Sequence, residues 1–339
     1  MKRAGLILAA LLVVAAGLSL LAWRHYQAFL ATPLSIPRGG IVFELTPGSS
    51  GASIVSRLSD AGHTQAGWPW KLLMRLQPAV YRAGEYRIEH GVTPPQLLRQ
   101  LEEGRVIHYE ITLIEGWTFA QLIEALDNDP VLEHELDIAD PWAWDPGVLF
   151  EGMTHPEGWF LPETYRFIRG DSDRDILQRA HAGMNEVLGE AWSQRMPDLP
   201  LEEPYELLIL ASIIEKETAV DAERDRIAGV FTRRLQKGMR LQTDPTVIYG
   251  IGPSFDGDIR RRDLRTDTPY NTYTRHGLPP TPIAMPGRKS LFAAANPADG
   301  EELYFVADGK GGHTFSRTLA EHNRARRLVK QLQRDAGGK

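Results

Sequence analysis

Residues 207–218 read Leu-Leu-Ile-Leu-Ala-Ser-Ile-Ile-Glu-Lys-Glu-Thr, a helix-length run that is apolar on nearly every side. A helix of this kind has no face to give to water, so the rest of the chain must fold around it. Two carboxylates close it, with different neighbours. Glu217 follows Ile214, Ile213 and Leu210 at three, four and seven residues and so continues an aliphatic stripe. Glu215 stands at the same spacings beyond Ser212, Ala211 and Leu208, a smaller and more polar surface. A carboxyl among aliphatic groups resists ionising, and its pKa rises. A fold keeps a transferable proton at neutral pH in this way, which makes Glu217 a candidate catalytic acid. The alternative for Glu217 is a helix-end carboxylate tied to a nearby arginine.

Composition sets the frame for that helix. The chain has 339 residues, 42% hydrophobic and 24% charged, enough for about two domains. The net charge is −6 and no basic block stands out, which argues against a nucleic-acid partner. With no cysteine, disulfides and thiolate metal sites are excluded. The histidines are scattered and no His-Glu-x-x-His spacing occurs, so neither a metal nor another cofactor is expected.

From Ala4 to Trp23 the chain carries no charge, and a run of about 20 such residues spans a hydrocarbon core as a helix. Lys2 and Arg3 place its start on the cytoplasmic side, and Trp23 and Tyr26 suit the far interface. A cleaved signal peptide is the rival reading, but its apolar region is usually about 7–15 residues. Residues 1–26 are therefore expected as an anchor. Residues 27–40, with Pro33, Pro37, Gly39 and Gly40, are expected as a linker.

A quasi-repeat follows. Phe43–Gly48, Tyr86–Gly91 and Ile111–Gly116 each precede a Ser or Thr two residues on, an apolar pair six and seven on, and a Leu ten on. The unit is a strand, a glycine turn, an N-cap and an amphipathic helix. Thr93 with Gln96 and Thr118 with Gln121 complete capping boxes. Three such units predict one small sheet with helices against it. Trp68, Trp70, Tyr81 and Tyr86 suit either sugar stacking or a core.

Residues 128–157 read as an irregular loop or lid, and Glu157–Tyr165 mixes carboxylates with aromatics. Residues 173–193 read as a helix. After Glu217, Asp221 is expected to cap a helix that Gly238 ends. Arg224, Arg226, Arg233 and Arg234 lie on or near its polar side and read as solvated, with one available to pair with Glu215. Residues 239–250 and 270–273 crowd hydrogen-bonding side chains just beyond helices, where sites tend to lie. Prolines 279, 280, 282 and 286 require a stiff, extended wall. Leu303–Ala307 and Thr314–Phe315 read as extended segments around a glycine-rich turn. Thr318 with Glu321 boxes a last helix that ends in a charged, frayed tail.

The run Ala211-Ser212-Ile213-Ile214-Glu215-Lys216-Glu217-Thr218-Ala219-Val220, followed by Arg240–Gly250, closely resembles the membrane-bound endolytic murein transglycosylases, the MltG or YceG-like family. Glu157–Phe160, Tyr270–Tyr273, Gly277–Pro280 and Tyr304–Phe315 fit the same family in order. The resemblance implies an α+β protein with a single inner-membrane span, a cytoplasmic N-terminus and a periplasmic body. It implies a LysM-like β/α module, assigned to residues 41–108, and a YceG-like catalytic domain, assigned to 109–335. It further implies cleavage of the β-1,4 bond between N-acetylmuramic acid and N-acetylglucosamine inside nascent glycan strands, leaving 1,6-anhydro ends, with peptidoglycan synthases as further partners. The family's catalytic acid falls on Glu217, where the helical-wheel argument also points.

One carboxyl suffices for that chemistry. Gln242, Asp244, Asn271 and Tyr273 are candidates for holding the sugar, with loop-stabilising hydrogen bonds as their alternative role. Two other functions fit the same residues. A hydrolysing muramidase needs a second carboxylate about 5–9.5 Å from the acid, for which Asp244 and Glu163 are available. An inert wall-binding scaffold that recruits synthases needs no acid at all.

Overall fold

The computed structural model describes the backbone of residues 2–337 and the side chains of 5–331. The side chains of the cationic start and of the charged tail after residue 331 lie outside the described residues. Helix and strand are mixed throughout, and the chain divides into two units, residues 1–109 with 166–170, and residues 110–165 with 171–339.

In the first unit, α1 (Lys2–Ala31) leads through β1 (Ile41–Leu45), α2 (Gly51–Asp60), α3 (Trp68–Leu76) and β2 (Gly84–Ile88) to α4 (Pro94–Glu103); β3 (Tyr109–Thr112) follows, with only Tyr109 in this unit. From Gly5 to Ala31, α1 is long and apolar enough to cross a membrane, as a single-pass anchor requires. The expected linker is helical at its start and irregular from residue 32 to 40. The helix runs on to Ala31, and Tyr26, Leu34 and Ile36 are buried with the strands and helices that follow. β1 and β2 pair antiparallel, Ile41 opposite Ile88 and Leu45 opposite Gly84. Ile54, Leu58, Trp70, Leu73, Tyr86, Leu97 and Leu101 fill the core beneath them. Trp70 and Tyr86 are thus core residues, whereas Trp68 stays exposed.

All three repeat units form their strand and helix. Each repeat glycine (Gly48, Gly91, Gly116) has positive φ, a conformation that a Cβ disfavours. Ser50 accepts from the Ser53 amide, and both capping boxes are present. The single three-stranded sheet does not form. Ile107 gives one backbone bond to the Glu85 carbonyl (2.7 Å), and β3 then pairs with β4 (Thr164–Phe167) instead. The repeat pattern specifies each unit locally but carries no information on which strand is its neighbour.

The second unit contains α5 (Phe119–Asp127), α6 (Asp173–Ser193), α7 (Pro204–Glu217), α8 (Arg224–Gln236), α9 (Asp244–Ile251), α10 (Arg288–Ala295), β5 (Tyr304–Ala307), β6 (His313–Ser316) and α11 (Leu319–Gly337). α7 is the hub. Every residue from Leu207 to Ile214 is buried, and α6, α8, α9 and α10 pack around it. Its one buried hydroxyl, Ser212, donates to the Ile209 carbonyl and accepts from the Ile283 amide, which holds the proline-rich wall against the helix. Gly158 turns at positive φ beneath that wall, where a Cβ would lie 2.5 Å from Pro282. Residues 128–163 carry only one short 3-10 turn, yet Trp144 stacks on Phe119 at 5.2 Å. β5 and β6 form an antiparallel hairpin.

Asp221 does not cap α8. It pairs with Arg224 and Lys289 in a short 3-10 turn before the helix. The expected solvation of the arginines also fails for Arg224 and Arg234, which are buried. Arg224 reaches Glu215. Arg234 donates to the carbonyls of Leu303 (2.6 Å), Leu241 (2.7 Å) and Arg240 (3.2 Å). Carbonyl acceptors of this kind make a buried guanidinium tolerable.

Candidate active site

The two carboxylates of α7 meet different partners. Glu215 accepts from Arg224 (3.2 Å), the Gly287 amide (3.0 Å) and the Ser290 hydroxyl (2.7 Å), so it joins α7 to the start of α10. Its side chain is 5% exposed, with every bond directed at scaffold. Glu217 ends the helix, and its carboxylate accepts the Thr243 hydroxyl. The side chain keeps an intermediate exposure towards solvent. Its carboxyl is nonetheless enclosed deeply enough that burial dominates and raises its pKa. The Thr243 hydroxyl opposes that rise, the Asp244 charge reinforces it, and His313 and Arg234 oppose it more weakly. The partial negative charge at the α7 C-terminus also disfavours the ionised form.

Thr243 is built to face Glu217. It is the N-cap of α9, where a threonine side chain ordinarily accepts from the helix's own amides. No such bond forms here, and the hydroxyl goes to Glu217. The Thr243 backbone is fixed instead by two other threonines. Its amide donates to Thr272 Oγ1 (3.1 Å), and its carbonyl accepts from Thr246 (2.8 Å). The preceding residue, Gln242, has φ of 52°, the one positive-φ non-glycine among the described residues. Strained backbone of this kind concentrates at functional sites.

Of the residues singled out from sequence, the structure brings four together. Gln242 and Asp244 flank Thr243, next to Glu217, and the Tyr273 phenol donates to Asp244 (2.5 Å). Burial and the bond to Asp244 raise the Tyr273 pKa, and Glu217 adds to that rise. Asn271 differs from these. It is buried, its amide nitrogen donates to the Asp263 and Thr266 carbonyls, and its oxygen accepts from the Tyr273 amide. It holds the loop that carries Tyr273. Glu163 is exposed, and its charge adds to the rise that burial causes in the Tyr165 pKa.

A cleft of about 620 Å³ opens beside Glu217, walled by Glu115, Trp117, Gln121 and Lys216. The Lys216 ammonium donates to the Gly116 carbonyl (3.0 Å), and Gly116 and Trp117 exchange backbone bonds with Met285. Burial, then the Glu215 charge, raises the Glu115 pKa. A larger cavity, about 730 Å³, lies beside α8 around Thr232, Arg233 and Lys237, away from Glu217.

Besides Thr243, Glu157 is a residue whose role sequence reasoning missed. It is 2% exposed and accepts from the Phe119 amide (2.9 Å) and the Tyr249 phenol (3.0 Å), tying α5 to α9. Burial lifts its pKa to about 8, against the lowering effect of those two bonds. Its apolar sequence neighbours were the available signal. Among the described residues, Asp127, His134 and Asp173 bring possible metal-ligand atoms within 4.8 Å of one another. Asp173 there accepts three backbone amides, from Arg174, Glu135 and Leu136, which account for its burial as a loop anchor.

The sequence profile of the YceG-like family matches residues 43–328. The endolytic murein transglycosylase of Bacillus subtilis (strain 168) is 39% identical over 180 residues, covering 53% of this chain and 49% of that protein. The protein of the same name from Streptococcus pneumoniae serotype 2 is 31% identical over 179 residues, 49% of this chain and 32% of its own length. The chain thus spans at most about half the length of these curated relatives. A crystal structure of a putative yceG-like protein from Listeria monocytogenes superposes with a TM-score of 0.53 at 30% identity, covering 85% of this chain and 99% of the other.

Proposed function

The chain belongs to the YceG-like family, and we propose that it is an endolytic peptidoglycan lytic transglycosylase in which Glu217 is the catalytic acid. The observation that carries this reading is the enclosed Glu217 carboxyl, its pKa raised by burial, held by one hydroxyl at the edge of an open cleft. The substrate is the glycan strand of peptidoglycan, the material named by the curated relatives.

Glu217 gives its proton to the oxygen of the bond between N-acetylmuramic acid and N-acetylglucosamine as that bond breaks through an oxocarbenium-like state. The resulting carboxylate is stabilised by the Thr243 hydroxyl. It takes the proton of the muramic 6-hydroxyl, which attacks C1 of the same sugar and closes the 1,6-anhydro ring. An intramolecular nucleophile needs no positioned water and has a high effective concentration. Asp244 and Tyr273 present polar groups near the acid and, with the exposed Gln242 next to Thr243 in the chain, are proposed to hold the sugar, while Asn271 supports Tyr273 from within.

The apolar α1 supports an inner-membrane protein with its N-terminus in the cytoplasm and both units in the periplasm. The strand, turn and helix units of residues 41–103 support a LysM-like module for the wall, with peptidoglycan synthases as partners at the site of strand growth. The deciding experiment is mass spectrometry of muropeptides released by the full-length protein. Anhydro ends establish the transglycosylase. Reducing ends, heavier by one water, would mean that Asp244, the carboxylate that influences Glu217, activates water in a hydrolase. No cleavage at all would leave the inert scaffold.

A further inference from the structure

We propose that the exposed face of α3 rests on the anionic headgroup layer of the bilayer that α1 enters, so that the first unit is seated on the membrane surface. The inference rests on reading α1 as a membrane span.

The depth argument starts from α1. If the uncharged run ending at Trp23 fills the hydrocarbon, Tyr26 lies about 4.5 Å further along the axis, in the headgroup layer. The Trp68 ring, at the start of α3, is 5.7 Å from that of His25 and 6.1 Å from that of Tyr26. Trp23 is itself 6.2 Å from Tyr26, so three aromatic side chains collect at one depth. Tyr26 is covered by the unit, but Trp68 remains 46% exposed. Tryptophan and tyrosine favour this depth, where one end of the ring is wet and the other apolar.

The composition of α3 points the same way. Its sequence, Trp-Pro-Trp-Lys-Leu-Leu-Met-Arg-Leu, carries Lys71 and Arg75 and no acid. Trp70 and Leu73 face the core. Trp68, Lys71 and Arg75 recur at three and four residues on the outer side, with Leu76, 62% exposed, beside them. Exposed apolar residues interleaved with cations are the signature of a helix lying in the interface of an anionic membrane. Phe29 packs edge-on against Trp70 at 5.3 Å, which fixes α3 to the emerging end of α1.

Because the chain has no cysteine, single cysteines report cleanly. Full-length protein labelled with a fluorophore at Val14→Cys, Asp60→Cys or Leu76→Cys would be placed in nanodiscs containing anionic lipid. Separate discs would carry a quencher either on the acyl chain or on the headgroup. Acyl-chain quenching at position 14 establishes the span. Headgroup quenching at position 76 should exceed that at position 60 by roughly threefold, the headgroup layer being thin. Lys71→Glu with Arg75→Glu, or zwitterionic lipid alone, should roughly halve it. A quenched position 14 with equal signals at 60 and 76 overturns the seating and leaves the anchor intact. An unquenched position 14 overturns the anchor itself. Quenching at 76 that ignores charge reversal overturns the headgroup contact.

Discussion

Glu215 and Glu217 stand two residues apart at the end of one helix, and the buried guanidinium goes to Glu215 while a threonine hydroxyl goes to Glu217. The first is an ion pair within the scaffold. The second is a carboxyl whose pKa burial raises. Glu217→Gln should fold with a melting temperature at or above that of the parent and lose about 10³-fold or more in release of anhydro-muropeptides. Glu215→Gln should do the opposite, losing about 2 kcal/mol of stability as Arg224 keeps only Asp221 for a carboxylate. Paired thermal melts and turnover assays separate the two, and parental turnover in the Glu217→Gln variant would remove the acid from the mechanism.

Thr243 lowers the pKa of Glu217 against the pull of burial. Thr243→Val should therefore raise it, and the high-pH limb of kcat/KM, where the acid loses its proton, should move to higher pH. Thr243→Ser should restore the parental profile. Since the side chain makes no capping bond, the valine variant should also lose less than the ~1 kcal/mol usual for an N-cap. An unmoved limb would count against the hydroxyl's role.

Glu157 has a folded-state pKa of about 8, above the ordinary carboxylate value. The folded protein then holds a proton that the unfolded chain has released, and stability falls as pH rises through the interval between those two values. Over that interval the loss is about 1.4 kcal/mol per pH unit from this group. Glu157→Gln keeps the shape without the titration, so its stability should stay flatter between pH 5 and about 8. Denaturant melts of both proteins across that range test this, and parallel curves would refute it.

Gln242 holds positive φ at a cost that glycine does not bear. Gln242→Gly should raise stability by about 1 kcal/mol while weakening glycan binding through the lost side chain. Asn271→Ala should instead cost about 2–3 kcal/mol, because it strands the backbone groups that its amide satisfies. Melting curves alongside KM measurements distinguish these; destabilisation by the glycine variant would refute the strain argument.

Periodicity made α7, the three strand-helix units and their caps legible, because each depends on neighbours within one or two turns. The contrast between Glu215 and Glu217 was legible for the same reason. Pairing was not. β3 leaves the first two strands for β4, a choice made by residues about 50 positions downstream. The burial of Arg234 was hidden too, since its partners are backbone carbonyls that leave no mark on charge spacing, and for Arg224 the pairing with Glu215 was on offer but the Ser290 hydroxyl was not. Glu157 needed three dimensions, because Phe119 and Tyr249 come from either side of it in the chain.

Tyr26, Phe29 and Leu30 pack into the first unit while their helix continues unbroken towards the N-terminus. The join between shaft and head has no swivel. If the shaft stands in a bilayer, any tilt or axial turn it makes is passed directly to the head, whose stand-off distance and compass heading are set by lipid rather than by a tether.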